Sequence, residues 1–134
     1  MKTNLVVDSC VDFNEETESI DRVPFRILID DQEIIDENTD ILELISKMKN
    51  SRSQIKTACA PPEDFIKKIK EQANNFVVTI SGQLSGSYNS AMVAVETIKE
   101  RFPEAFVHIF DSKTAAAGET MIAIKVKQLI EENL

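Results

Sequence analysis

The sequence predicts a layered α/β/α fold with a mainly parallel central sheet. Short apolar runs rich in β-branched and aromatic residues alternate with longer segments whose apolar residues recur at helical spacing. This alternation is typical of parallel strands covered by helices on both faces. The 134 residues, 43% of them hydrophobic, suffice for a single domain over residues 1–134, which would bury roughly two-thirds of its unfolded surface.

Four segments have the composition of buried strands. They are residues 4–8, 24–29, 76–80 and 106–110. Parallel strands are covered on both faces, so their sequences are nearly continuous apolar runs. We therefore expect all four segments to lie in the parallel sheet.

Four helices are expected to accompany these strands. The first carries an apolar stripe from Ile41 to Met48 and begins with Asp40 and Glu43, which are spaced as in a capping box. The second begins at Pro61 and Pro62, because proline in the first turn gives up no intrahelical hydrogen bond. The apolar face of the second helix is expected to carry Phe65, Ile66, Ile69 and Ala73. That of the third carries Tyr88, Ala91, Met92, Val95 and Phe102. The last helix, from about Thr114, has Ile122, Val126, Leu129 and Ile130 on its buried face.

Residues 81–90 have the composition of a binding loop. They follow an apolar run, precede a helix, and contain two of the three glycines together with four serines. Glycine lets the backbone approach a ligand closely, and the hydroxyls lie beside the free amides of a helix N-terminus. These features suit an anionic ligand.

Hydroxyl groups recur where the predicted strands end. Asp8 with Ser9, Thr57, residues 81–87, and Asp111 with Ser112 all hold such positions. Open parallel sheets bind ligands beyond the carboxyl ends of their strands, so we expect these places to gather at one edge. Ser, Thr and Asp are also ordinary helix caps, and only the stretch around residues 85–87 exceeds what capping requires.

Charge and motif content argue against several functions. The net charge of −8, without a basic cluster, disfavours nucleic acid and anionic membranes as partners. Cys10 and Cys59 lack metal-ligand spacing, and the absence of a leader or long apolar span favours a cytoplasmic protein without stable membrane insertion. Ser85 lies one residue too late for a nucleophile elbow, and the single His108 is in a strand-like run. We therefore expect no catalytic residue, metal or cofactor.

The chain also resembles the DegV family of bacterial fatty-acid-binding proteins, the acyl carriers of fatty-acid kinase. The motifs that carry the resemblance are Asp8-Ser9-Cys10-Val11-Asp12, residues 24–29, Lys56-Thr57 with Pro62-Glu63-Asp64-Phe65, residues 81–91, and Asp111-Ser112 with Gly118. The resemblance covers essentially the whole chain, and its most specific part is Leu84-Ser85-Gly86-Ser87-Tyr88. It implies that residues 1–134 correspond to the family's first domain, with the second domain absent.

The resemblance also implies a ligand, a partner and a site. The protein would bind a long-chain fatty acid and present its carboxylate to a fatty-acid kinase, without being an enzyme itself. The family's carboxylate-binding threonine and serine match Thr57 and Ser85, and the amide of Gly86 would add a third hydrogen bond. Charge-assisted hydrogen bonds of this kind contribute about 1.5–3 kcal/mol each. The rim of the site is expected to include Ser9, Ala58, Ser81, Ser87 and Asn89.

The chain departs from the family's usual motif in one place. Where members have threonine-serine-glutamine-proline, this sequence reads Thr57-Ala58-Cys59-Ala60. One hydroxyl is missing, and the family's second-domain histidine is absent too, so we expect slow or undetectable lipid retention by this chain alone. Two other function classes remain open: a small-molecule transferase that uses Ser85 as nucleophile, and a truncated module that acts through protein contacts.

Overall fold

The computed structural model describes residues 2–134. In chain order its strands are β1 (Lys2–Asp8), β2 (Asp21–Val23), β3 (Arg26–Ile29), β4 (Gln32–Ile35), β5 (Lys56–Ala58), β6 (Ala73–Thr79) and β7 (Phe106–Asp111). Its helices are α1 (Ile41–Asn50), α2 (Pro62–Lys68), α3 (Ser87–Arg101) and α4 (Ala117–Glu131).

The central sheet is parallel throughout. Its strand order is β2-β1-β6-β7, and every neighbouring pair runs in the same direction. The two middle strands are aligned so that Val6 lies opposite Val77 and Val7 opposite Val78. All four valines are buried, as expected of strands covered on both faces.

The sheet is the middle of three layers. Successive side chains of a strand point to opposite faces, so Val6 and Val77 belong to one core while Val7 and Val78 belong to the other. Helices α2 and α3 pack on the first face, where the fully buried Phe65 is the largest side chain. Helix α4 packs on the second face. The layered α/β/α fold predicted from the sequence is therefore confirmed.

The placement of the segment 24–29 in the parallel sheet was wrong. Pro24 has no amide hydrogen to continue the ladder, and the chain leaves the central sheet after Val23. It then forms β3, the middle strand of a second, antiparallel sheet with the order β4-β3-β5. Strands β3 and β4 form a hairpin that turns at Asp30 and Asp31, where Asp30 has a left-handed φ of 53°. The strands β2, β4 and β5 were not predicted.

Helix α1 begins with the predicted cap but packs differently from the other helices. A carboxylate oxygen of Asp40 accepts a hydrogen bond from the amide of Glu43 at 3.0 Å. No residue of α1 is buried, and Ile41, Ile45 and Met48 of its apolar stripe are each at least 40% exposed.

Among residues 2–134, no helix is long and apolar enough to cross a membrane.

Helices α2 and α3 differ from prediction in their ends and faces. Helix α2 begins at Pro62 as predicted but is shorter, so Ala73 lies in β6 instead of on the helix. On α3 the buried face is rotated, which leaves Met92 and Phe102 37% exposed. The buried residues of α3 are Ser87, Ala91, Ala94, Val95 and Ile98.

Helix α4 begins three residues later than predicted. Ala116 has a left-handed φ of 49°, which an α-helix does not accommodate, so the helix starts at Ala117 instead of near Thr114. Its first turns bury two polar residues, Glu119 and Thr120, in addition to the apolar residues Ala123 and Val126. Ile122, Leu129 and Ile130 are only half-buried.

Candidate functional site

A cavity of about 580 Å³ lies at the carboxyl end of the parallel sheet and is lined by residues from both sheets. One part of the lining is apolar and consists of Phe25, Ile27, Ile80 and Leu84. The polar part includes hydroxyl groups, from Ser9, Thr57 and Ser85. A pocket that combines an apolar wall with a few polar groups is typical of small-molecule sites.

The residues expected to bind the carboxylate lie together. Thr57, Ser85 and Gly86 all line this cavity. Of the residues expected at the rim, Ser9 and Ala58 line it as well. The remaining three, Ser81, Ser87 and Asn89, are not among the lining residues.

Two of those three serve local structure. The hydroxyl of Ser87 is completely buried and donates to Oδ2 of Asp8 at 2.7 Å. The hydroxyl of Ser81 accepts a hydrogen bond from the amide of Gln83 at 3.3 Å. Asn89 lies exposed in the first turn of α3.

Thr57 lies at the cavity because of a strand that the sequence did not predict. It lies in β5 of the antiparallel sheet, directly opposite Ile27 of β3. Side chains directly opposite each other on neighbouring strands are close neighbours, and both of these residues line the cavity. The second sheet therefore supplies one wall, and the loops of the parallel sheet supply the other.

The loops at the carboxyl ends of three parallel strands are joined by carboxylates. At the end of β1, Oδ2 of Asp8 accepts a hydrogen bond from the amide of Ile80 at 2.9 Å, and Oδ1 accepts one from the amide of Cys10 at 3.1 Å. At the end of β7, Oδ1 of Asp111 accepts a hydrogen bond from the amide of Gly82 at 3.1 Å. The segment that carries Ser85 is therefore fixed from both sides. The sequence places Asp8 and Asp111 beside hydroxyl residues and within family motifs, but it does not indicate these hydrogen bonds.

Ser85 and Gly86 lie at the N-terminus of α3. Gly86 is the N-cap of this 15-residue helix, so the positive end of the helix dipole adjoins the cavity. The oxygen of the Ser85 hydroxyl accepts a hydrogen bond from the amide of Ser87 at 3.3 Å. A hydroxyl also carries one hydrogen of its own, which Ser85 can donate to a ligand. These groups suit an anion.

The lining contains no lysine, arginine or histidine. Its ionisable groups are the carboxylate of Asp36 and the thiols of Cys10 and Cys59. Burial, together with the negative charges of Asp8 and Asp36, raises the pKa of Cys10 to about 12, so this thiol keeps its proton at neutral pH. An anion in the cavity must therefore be held by hydroxyl and amide donors.

The chain is similar to proteins of known sequence and structure over its whole length. The model of the DegV family, described as uncharacterised proteins, matches residues 2–134. A DegV domain-containing protein of Streptococcus gordonii is 34% identical over 142 residues, which cover all of this chain and 50% of the relative. The chain thus spans about half the length of the curated relatives it matches.

Solved structures give the same result. A DegV family protein of Ruminococcus gnavus, determined with vaccenic acid, has a TM-score of 0.93 and 35% identity, over all of this chain and 50% of that one. The Fatty Acid Kinase (Fak) B3 protein of Streptococcus pneumoniae, loaded with linoleic acid, has a TM-score of 0.92 and 30% identity over the same shares. Both the family model and the fold therefore confirm the resemblance seen in the sequence: the chain belongs to the DegV family.

Proposed function

We propose that this chain binds a long-chain fatty acid, with the carboxylate held by Thr57, Ser85 and the amide of Gly86. The observation that carries the proposal is that these three residues, drawn from two sheets and a helix N-terminus, line one cavity. Related structures at 35% and 30% identity contain vaccenic and linoleic acid. Ser9 and Ala58 complete the rim of the proposed site.

The donor groups of the cavity match the chemistry of a carboxylate. Each carboxylate oxygen accepts hydrogen bonds, and each bond from a neutral donor to the charged group contributes about 1.5–3 kcal/mol. Since the lining has no cationic side chain, binding does not depend on a buried ion pair. The hydroxyls and the helix N-terminus thus fix the orientation of the acid.

The apolar lining supplies a surface for the acyl chain. Phe25, Ile27, Ile80 and Leu84 form it, and burial of each methylene contributes about 0.8 kcal/mol. A long chain therefore contributes more to affinity than the head group does. Leu84 is 67% exposed, so we further propose that residues 1–134 form one domain of the carrier and that the other half found in longer relatives covers this wall.

The proposed role is that of a carrier, with a fatty-acid kinase as partner. The similarity to the Fak B3 protein supports this partner. A transferase that used Ser85 as nucleophile would need a base beside the hydroxyl. The hydroxyl of Ser85 instead accepts a hydrogen bond from the amide of Ser87. The single histidine, His108, lies exposed in β7 with its ring against that of Phe110. The geometry favours binding over catalysis.

The proposal is tested with Ser85→Ala and Thr57→Val. Each variant removes one donor, so we expect the dissociation constant for radiolabelled decanoate, measured by equilibrium dialysis, to rise about tenfold or more per variant. Decanoate is chosen because a shorter acid stays monomeric at the concentrations that weak binding requires.

Matched controls are Ser46→Ala, on the exposed α1, and Thr97→Val, on α3 away from the cavity. Both should bind like the unaltered chain. If Ser85→Ala and Thr57→Val also bind unchanged, the head group is held elsewhere. A covalent adduct on Ser85, seen in the intact mass, would favour the transferase.

A further inference from the structure

Glu119 is a buried acid without a visible partner. Its side chain is 0% exposed in the first turn of α4, and neither carboxyl oxygen has a hydrogen-bond partner among residues 2–134. Burying an ionised carboxylate without a partner is strongly unfavourable, so such a group pairs with something or takes up a proton.

Asp8 lies beside Glu119 and has room for one more hydrogen bond. A carboxyl oxygen of Glu119, one of Asp8, and Sγ of Cys10 all lie within 4.8 Å of one another. Asp8 already accepts two hydrogen bonds at Oδ2, from the amide of Ile80 and the hydroxyl of Ser87. Its Oδ1 accepts one, from the amide of Cys10. Because each carboxylate oxygen has about two acceptor positions, Oδ1 retains one.

We propose that Glu119 keeps its proton at neutral pH and donates it to Oδ1 of Asp8, so that the buried pair carries one negative charge. This hydrogen bond fills the last acceptor position of Asp8 and provides a partner for Glu119. Acting through Asp8, Glu119 is a positioning residue for Ile80 and Ser87, which flank the loop with the proposed carboxylate site. That last step rests on the proposed function, whereas the shared proton does not.

The charges around the pair favour a proton on Glu119. Burial raises the pKa of Glu119 to about 10, and the neighbouring charges of Asp8 and Asp12 act in the same direction. The charge of Arg22 acts against them. The charge of Asp36 acts on the neighbouring Cys10.

Arg22 carries the positive charge that acts on Glu119, but no hydrogen bond joins the two side chains. Nε of Arg22 and both carboxyl oxygens of Glu119 lack hydrogen-bond partners among residues 2–134. The guanidinium of Arg22 donates to the carbonyl oxygens of Val11 at 3.1 Å and Asp12 at 3.2 Å, and to the hydroxyl of Thr17 at 3.3 Å. A divalent cation would find at most three protein ligands here, from Asp8, Cys10 and Glu119, which is fewer than the four of a structural zinc site. A proton on Glu119 provides a hydrogen bond between the two carboxyl groups and leaves the existing contacts of Asp8 in place.

The test is the pH dependence of stability in Glu119→Gln. A glutamine amide donates to Asp8 as a protonated carboxyl does, but it does not titrate. The folded wild-type chain retains a proton that the unfolded chain loses above about pH 4.5, so its stability falls as pH rises. From about pH 5 to pH 9 the urea-unfolding constant of the wild type, relative to the Gln variant, should rise tenfold per pH unit.

The control is Glu131→Gln, which removes the same charge at the exposed end of α4. The ratio of its unfolding constant to that of the wild type should not change with pH. A ratio that is also flat for Glu119→Gln would overturn the proposal. So would stabilisation of the wild type by Zn²⁺ or Mg²⁺ that is lost in Glu119→Gln, because a cation would then occupy the site.

Two further measurements keep the proposal testable if the variant folds poorly. Infrared spectra of the wild-type chain at about pH 8 should contain the carbonyl band of a neutral carboxylic acid, and its absence would contradict a protonated Glu119. Decanoate affinity tests the positioning step separately: Glu119→Gln should retain it within twofold, and Glu119→Ala should lose most of it. If the wild type binds no fatty acid, the proposed function fails. The stability and infrared results then still show whether Glu119 shares a proton with Asp8.

Discussion

At the residue scale, the candidate site depends on the absence of a side chain at Gly86. A Cβ at this position would lie 3.1 Å from Sγ of Cys59, which also lines the cavity. The φ of Gly86 is −74°, which any residue adopts, so its role is to leave space and not to allow an unusual backbone. Because both residues line the cavity, we expect Gly86 and Cys59 to set its width beside Ser85.

Gly86→Ala should therefore affect binding more than folding. The thiol of Cys59 can shift by a few tenths of an ångström, so we expect a loss of less than about 1 kcal/mol in the free energy of unfolding. Decanoate affinity should fall several-fold because the added methyl group enters the cavity. The double variant Gly86→Ala/Cys59→Ala should recover most of the affinity, and a double variant as weak as the single one would show that the width is set elsewhere.

Single residues also show how far the sequence could predict the site. Thr57 and Ser85 were identified by their resemblance to family motifs, and the structure places both at one cavity. The contribution of Glu119 could not be read from the sequence, because an acidic residue near a helix start is usually solvent-exposed. Its burial depends on packing against β1, which no local pattern records.

At the scale of elements, buried asparagines organise the end of the parallel sheet opposite the cavity. Asn75 of β6 is completely buried and accepts hydrogen bonds from the side chain of Asn4 and the amide of Lys70. Its own amide group donates to the carbonyl oxygens of Lys70, Ala73 and Phe106. One side chain thus joins β1, β6, β7 and the loop after α2.

Asn75→Ala should destabilise the fold without altering the site. Its loss leaves several buried polar groups unpaired, so the free energy of unfolding, measured in urea, should fall by about 3 kcal/mol. The neighbouring Asn74→Ala, at a half-buried position on the same strand, should cost less than about 1 kcal/mol. Under conditions where the Asn75 variant is folded, its affinity for decanoate should equal that of the wild type. Equal stability of the two variants would contradict the role given to this network.

Elements with a strong local signal were predictable, and those defined by their partners were not. Helix α1 combines a cap at Asp40 with a regular apolar stripe, and both are visible in the sequence. Strand β3 has an apolar run like those of the parallel strands. Pro24 marks the end of the parallel ladder, but no local pattern indicates that β3 pairs with β4 and β5 in a separate sheet. Strands of three or four residues, such as β2 and β5, are too short for a periodic pattern to emerge.

At the scale of the whole molecule, the cavity results from the meeting of two sheets. The parallel sheet supplies Ser85 and Gly86 at its carboxyl edge, and the antiparallel sheet supplies Thr57 on the opposite wall. The overall net charge of −8 repels an anion, but over distances beyond about 10 Å this repulsion is screened at moderate salt. Short-range donors at the cavity therefore determine whether a carboxylate is held.

The most direct measurement is an NMR titration of the ¹⁵N-labelled chain with decanoate and, separately, with methyl decanoate. We expect decanoate to shift the amide signals of Thr57, Ser85 and Gly86 most strongly. The uncharged ester, which offers weaker acceptors, should bind at least about tenfold more weakly. Equal affinity for acid and ester, or shifts confined to residues away from the cavity, would contradict a carboxylate site between Thr57 and Ser85.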